Sequence, residues 1–357
     1  MYRLLPGHLP KDPTFPHDLK GLGYFINDKD YIKSISEPAE DFDFFVTKSY
    51  RHNKMRGEAM SACMRKLVLE RLEKLSLPIL RLPIGTLATE PHVPILASPD
   101  LSSKKRLVVV LGEAFQDLGI WAYRSVGREG LGGINDGSAI NFVKEVQKAP
   151  LSRSDDSDAG IIIANPGQLL WWRRGKQPVT FQTWYALPRK SAVHGPRRID
   201  DVKNRVPGNG NCAKHVEYVF NEVVAKLARE DVKLYVLGVA DGGTDMLSFL
   251  NKNWSTWESR ISAIALSHPL HIPDDVSTPR FASFMSTHAR AYLCHDEPAN
   301  TPVSDTDYGC PTFSSGESQW AECIMTKASV LVVDWFREMA NGEVEGLAPE
   351  AVKSDKM

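Results

Sequence analysis

The hexapeptide G-V-A-D-G-G at Gly238–Gly243 has the spacing of an acyl-transfer site. Glycines two positions before and after a central residue let a chain turn sharply from strand to helix. The central side chain then stands over the sheet, where a hydroxyl or thiol could attack a carbonyl carbon. Here the flanking glycines are Gly238 and Gly242, the central residue is Ala240, and Asp241 and Gly243 complete the turn. A methyl group has no lone pair to give. The same six residues also read as a plain tight turn.

A nucleophile at such a turn works with a carboxylate and a histidine, in the chain order nucleophile, acid, histidine. Counting strands past the turn, the acid position falls on Asp296 or Glu297, so that slot is filled. The histidine belongs in the loop before the closing helix, Gly309–Glu322, and that window holds none. Each loss alone removes most of the rate, so the sequence predicts no working serine hydrolase. Cys310 lies in the same window and is the substitute nucleophile, but nothing around it suggests a lowered pKa. Ser267-His268 and His271 follow one strand, and His288 and His295 flank another. Neighbours on a strand face opposite ways, so Ser267 and His268 do not simply pair. Without H-E-x-x-H, a P-loop or paired cysteines, no metal or cofactor is expected.

The elements that must hold this turn come from 357 residues, 42% of them hydrophobic. That is enough for one large α/β domain or two small ones. With 43 basic and 44 acidic residues the net charge is −1, which gives no global field for nucleic acid or an anionic membrane. Cys63, Cys212, Cys294, Cys310 and Cys323 are scattered and odd in number, pointing to a reducing compartment. The opening M-Y-R-L-L-P-G-H-L-P is too short and proline-broken for a secretory signal, and no run reaches membrane-spanning length. Nucleus or cytoplasm is the expected location.

In chain order, residues 1–20 read as a surface arm, and the two apolar runs around Asn27–Asp30 as a β-hairpin. Met60, Met64, Leu67, Val68 and Leu72 recur at helical spacing and predict a long helix over Asn53–Leu75. Residues 77–98 are punctuated by prolines and have no clear order. Arg106–Leu111 and Gly160–Ala164 read as strands buried on both faces, and Ser138 can cap a helix over Ala139–Lys148. Leu151–Asp158 reads as an exposed loop. An amphipathic helix over Asn211–Glu230 feeds the strand Val232–Leu237 and the turn at Ala240. Strands at Ile261–Leu266 and Arg290–Cys294, a loop at Gly309–Glu317 and a helix over Ala321–Met339 complete the pattern. Five buried strands alternating with helices predict a mainly parallel sheet covered on both faces. Any ligand crevice then lies at the strands' carboxyl ends.

Residues 169–205 stand apart. They hold Trp171, Trp172 and Trp184, three of the eight tryptophans, among basic residues including Arg173 and Arg174. Interleaved rings and cations can line a protein interface, stack bases, or decorate an excursion packed on the sheet edge.

Several stretches together resemble the Argonaute-binding-protein type of domain, named in a fungal small-RNA silencing complex and found at the C-terminus of some fungal class II histone deacetylases and in an animal family. They are Gly23–Asn27, Val110–Glu113 with Leu118–Arg124, Ile163–Pro166, Gly238–Gly243, Arg290–Tyr292 with Asp296–Pro298, and Gly309–Glu317. The resemblance spans residues 21–341 as one domain, with 342–357 a polar tail. It implies an α/β-hydrolase-like three-layer sandwich, here with an N-terminal hairpin and long helix. Many members keep serine at the turn, and this chain departs from that pattern at Ala240. The role implied is protein binding in Argonaute, RNA-silencing, histone deacetylase or heterochromatin assemblies. The composition of the excursion, independently of the resemblance, makes Trp171, Trp172, Arg173, Arg174 and Trp184 the expected contact surface. Direct nucleic-acid or membrane binding is not expected. The rival reading is an esterase or deacylase working through Cys310.

Overall fold

The computed structural model describes residues 8–130, 132–154, 157–304 and 307–342. The hairpin forms as β1 (Tyr24–Ile26) and β2 (Ile32–Ser34), paired antiparallel around the Asn27–Asp30 turn. The long helix is α1 (Tyr50–Lys74), started by the Ser49 hydroxyl accepting from the His52 amide. The proline-punctuated stretch supplies two strands that its pattern did not reveal, β3 (Ile79–Leu82) and β4 (Val93–Ala97). Next come β5 (Arg106–Leu111), α2 (Ala139–Lys148) and β6 (Gly160–Ala164). Ser138 does not cap α2, because its hydroxyl donates to the Ile134 carbonyl at 2.7 Å instead. In the stretch expected as an exposed loop, Leu151 and Ser152 are buried, and residues 155–156 lie outside the described residues.

The 169–205 excursion folds into a small hairpin, β7 (Leu170–Trp172) with β8 (Gln177–Val179), and a short helix α3 (Phe181–Ala186). A helical run follows, α4 (Cys212–Tyr218), a π-helical segment over Val219–Val224, and α5 (Ala225–Leu227). The second half of the chain then alternates: β9 (Lys233–Val239), α6 (Ala240–Trp257), β10 (Ile261–Ser267), α7 (Pro279–His288) and β11 (Ala289–Leu293). Part of the expected loop at 309–317 is a strand, β13 (Thr312–Ser314), edged by β12 (Pro302–Val303) and followed by α8 (Ile324–Ala340).

Nine strands form one sheet in the order β12-β13-β11-β10-β9-β5-β6-β4-β3. The run from β6 to β13 is parallel, and β3, β4 and β12 are antiparallel to their neighbours. Alternation along the central strands divides the core between two faces. Val108, Val110, Tyr235 and Leu237 meet α1, α2 and α8, while Leu107, Val109, Leu234 and Val236 meet α4, α6 and α7. This is the expected α/β-hydrolase-like sandwich. From β5 the chain steps to β6 on one side, and from β6 it returns to β9 on the other. Their carboxyl ends therefore flank a topological switch point, where a crevice opens.

The arm is not loose where it is described. Asp12 binds the Arg51 guanidinium through two 2.7 Å bonds, and the same guanidinium donates to the carbonyls of Tyr185 at 3.0 Å and Leu187 at 2.9 Å. Residues 1–7 of the expected arm, and 343–357 of the expected tail, lie outside the described residues.

Candidate functional site

The turn after β9 has the backbone of a nucleophile turn in full. Ala240 sits at its tip with φ of +46°, in the left-handed region that a side chain enters only at a cost of roughly 1–2 kcal/mol. Packing enforces this conformation. A Cβ on Gly238 would lie 2.5 Å from the Cα of Gly243, and one on Gly242 would overlap the carbonyl oxygen of Gly112 at the end of β5. Glycine is therefore required at both flanks, and the plain-turn alternative does not explain the strained tip between them. Ala240 is 5% exposed.

Around this tip the strand ends bring together charges rather than a catalytic triad. Glu113 follows β5, Asp241 follows the tip, His268 follows β10, and Glu322 precedes α8. Burial, and then the charges of Asp241 and Glu322, push the Glu113 carboxyl above its ordinary range. Burial holds His268 below the usual imidazole range, while Asp241 and Glu322 pull the other way. His268 has a φ of +50°. It has left the strand, so the alternation that separates Ser267 from it does not decide where its ring goes. The window expected to hold the histidine instead contributes Glu322, which accepts from Arg124 Nε at 2.8 Å, with that guanidinium 3.9 Å above the Trp320 ring.

The filled acid slot is not part of this cluster of charges. Asp296 and Glu297 are both exposed. The Asp296 charge acts on Cys294, and the Glu297 amide donates to His295 Nδ1 at 3.1 Å. Cys310 is buried in the core, and burial pushes its thiol up to about 12, so it is no substitute nucleophile at neutral pH.

The other histidines are engaged elsewhere. His271 Nε2 donates to the Tyr308 carbonyl at 3.0 Å, and His288 stacks on Phe284. His215, fully buried, accepts from the Asn165 amide at 3.0 Å and pairs with Asn209 at 2.6 Å; burial alone takes it down to about 3. Among the described residues, no three His, Cys, Asp or Glu side chains gather as a metal ion would require.

Two of the three tryptophans expected at a partner surface are buried. Trp171 and Trp184 are each 3% exposed, with Trp171 beside Val93, Leu169 and Val206 and Trp184 beside Leu170, Val179 and Leu187. The Trp184 indole donates to the Arg197 carbonyl at 2.9 Å. Trp172 is half-buried, and only Arg173 and Arg174 of that set are exposed. Trp171 and Trp184 belong to the excursion's own small cores, while Phe181 and Tyr185 remain exposed.

A second feature escaped the sequence reading. Beside the crevice, a groove of about 920 Å³ runs between residues 39–45, the first turns of α1, the crossing after β5, and Glu322. At its back Arg65 bridges the half-buried Glu58 at 2.8 Å and the buried Asp117 at 3.1 Å, and the Tyr123 hydroxyl donates to Asp117 at 2.7 Å. Burial pushes Asp117 upward against the pull of Arg65. The crossing 113–124 is singled out in the sequence through Leu118–Arg124, which carries part of the family resemblance, but nothing in it marks Arg65 as its partner.

A family model for the Arb2 domain matches residues 15–299, a span running from before the hairpin past the acid slot. The chain belongs to the Arb2 domain family. It is similar to the human cotranscriptional regulator ARB2A, 24% identical over 95% of this chain and 84% of that protein. The homologue in Xenopus tropicalis is also 24% identical, over 85% of this chain and 75% of that protein. Among solved structures it aligns with an arylesterase at 11% identity and a TM-score of 0.31, covering 79% of this chain and 98% of that one. A Pyrobaculum calidifontis esterase aligns at 11% identity and a TM-score of 0.36, covering 84% and 96%. Those scores are too low to carry an argument. The fold of this Arb2 domain rests on its own strand order and on the turn at Ala240.

Proposed function

We propose that this Arb2 domain is a non-catalytic scaffold that binds protein partners in nuclear assemblies controlling transcription, including those of RNA silencing and heterochromatin. The observation that carries the reading is Ala240: a strained nucleophile turn kept in its full backbone form with no attacking atom at its tip. The resemblance to proteins named cotranscriptional regulators supports the nuclear setting, and among the described residues no helix is long and apolar enough to cross a membrane. Binding from purified chain to nuclear extract, read by mass spectrometry, tests it. Enrichment of transcription or silencing proteins is expected, and capture of none would count against the scaffold.

A second reading has one observation in its favour. His268 leaves β10 beside the turn at Ala240, where burial lowers its pKa against the pull of Asp241 and Glu322, and an imidazole there could serve as a general base that activates water without a covalent intermediate. Turnover of a p-nitrophenyl ester that His268→Ala abolishes would favour that reading over the scaffold. The expected outcome is no turnover above buffer in either protein, and no labelling by serine- or cysteine-directed probes.

A further inference from the structure

We infer that the groove beside the crevice receives an extended peptide segment carrying lysine or arginine side chains. This rests on the scaffold reading and gives it a place and a partner chemistry. Six carboxylates and three basic groups line the groove, and the three basic groups are already engaged. Arg124 is paired with Glu322 at 2.8 Å, Arg128 with Asp41 at 3.8 Å, and Lys54 donates to Gln182 at 2.6 Å. The carboxylates are not matched in the same way. Glu40 and Asp43 are exposed at one edge, and at the back a single guanidinium, Arg65, serves both Glu58 and Asp117. The Asp117 side chain is 4% exposed, and its Oδ1 has no hydrogen-bond partner. A buried carboxylate oxygen left unmatched is costly, and an incoming cation lowers that cost through the local field.

The rim adds an independent observation. Phe45 is 76% exposed, Tyr50 75% and Phe115 54%, and all three line this one groove. Large rings left in water around a concavity mark a binding surface. Their faces suit the alkyl stems and charged heads of lysine and arginine. Acidic lining disfavours RNA, whose phosphates would meet like charge. A small neutral ligand would leave the carboxylates unanswered. An extended basic segment answers both the charge and the rings.

The test uses fluorescence anisotropy on the full chain with a fluorescein-labelled peptide alternating lysine and glycine. Controls are the same peptide with glutamate or glutamine in place of lysine, and labelled oligo-U RNA. The basic peptide should bind, weaken as salt rises, and lose about tenfold in affinity with Glu40→Gln/Asp43→Asn. That pair replaces exposed groups with near-isosteres, so folding is not at risk. Phe115→Ala should weaken binding in moderate salt as well, while Arg173→Glu, at an exposed position outside the groove lining, should not. Equal binding of the three peptides, preference for RNA, or indifference to the double variant overturns the proposal. The nuclear-extract experiment, repeated with the double variant, separates the two readings. Partners captured equally well by parent and variant would sink the groove and leave the scaffold standing, and partners captured by neither would sink both.

Discussion

The turn after β9 and the loops after β11 and β13 stand at neighbouring strand ends of one sheet, and they are held differently. At the turn the backbone is held from several sides: Gly238 against Gly243, Gly242 against the Gly112 carbonyl, and Ala240 driven into the left-handed region between them. In the loops no comparable packing fixes the side chains that chemistry would need. Asp296 and Glu297 point into solvent, and the histidine window carries Glu322. Their backbone is still tied together, since Ser314 Oγ donates to the Glu297 carbonyl at 2.6 Å and Ser315 Oγ to that of Leu293 at 2.7 Å. The difference teaches that close packing holds a main-chain turn in place whatever side chain stands at its tip, whereas an exposed loop leaves the positions of its side chains unconstrained.

The severest way to break this comparison is Gly242→Ala. Its methyl would collide with main chain rather than with a flexible side chain, so the loss should be about 3 kcal/mol or more, read as a shift in the urea midpoint. A melt within 1 °C of the parent would mean that the turn is not held by packing at all.

The tip itself gives a smaller effect of opposite sign. Ala240→Gly relieves left-handed strain of roughly 1–2 kcal/mol and loses up to about 1 kcal/mol to the freer unfolded chain, so a net gain near 1 kcal/mol is expected. Ala240→Ser keeps the strain, should leave stability within about 0.5 kcal/mol, and should not create ester hydrolysis. If serine alone restored turnover with p-nitrophenyl acetate, the loops would be more competent than the comparison allows.

Glu113 sharpens it further through pH. Its native pKa is raised, so below the ordinary value of 4.5 both folded and unfolded forms are protonated and the residue is neutral to stability. As pH climbs through the raised native value, ionisation beside Asp241 and Glu322 destabilises the fold. Glu113→Gln should therefore melt higher than the parent at pH 7, with the advantage vanishing as pH falls to 4.5 or below. The smallest expected effect belongs to Asp296→Asn with Glu297→Gln, which should move the midpoint by less than about 0.5 kcal/mol at neutral pH. A large loss there would restore the acid slot to the working structure.

Much of the architecture was legible because the signals were local. The β-branched runs of β5 and β6, the spacing along α1, and the glycines around Ala240 each state their structure within a few residues. What was missed depended on distant partners. β3 is flanked by Pro78 and Pro83 and β4 contains Pro94, so both become strands by pairing with each other and, for β4, with β6, and β13 is three residues long. The tryptophans of the excursion misled because composition cannot say which way a ring faces; Trp171 and Trp184 close their own small cores. Glu322 was passed over because its window was searched for a histidine. The Arg65 network joins α1 to the crossing after β5 across 52 residues of chain, a separation no motif spans.

The Asp12–Arg51 pair has a practical consequence for anyone trimming this protein. A cut between residues 12 and 21 would strip a guanidinium that is 6% exposed of its counter-ion, and the carbonyls of Tyr185 and Leu187 that it clasps would lose their anchor too. Limited proteolysis near the front of the chain should thus expose new cleavage points around residue 190, far along the sequence.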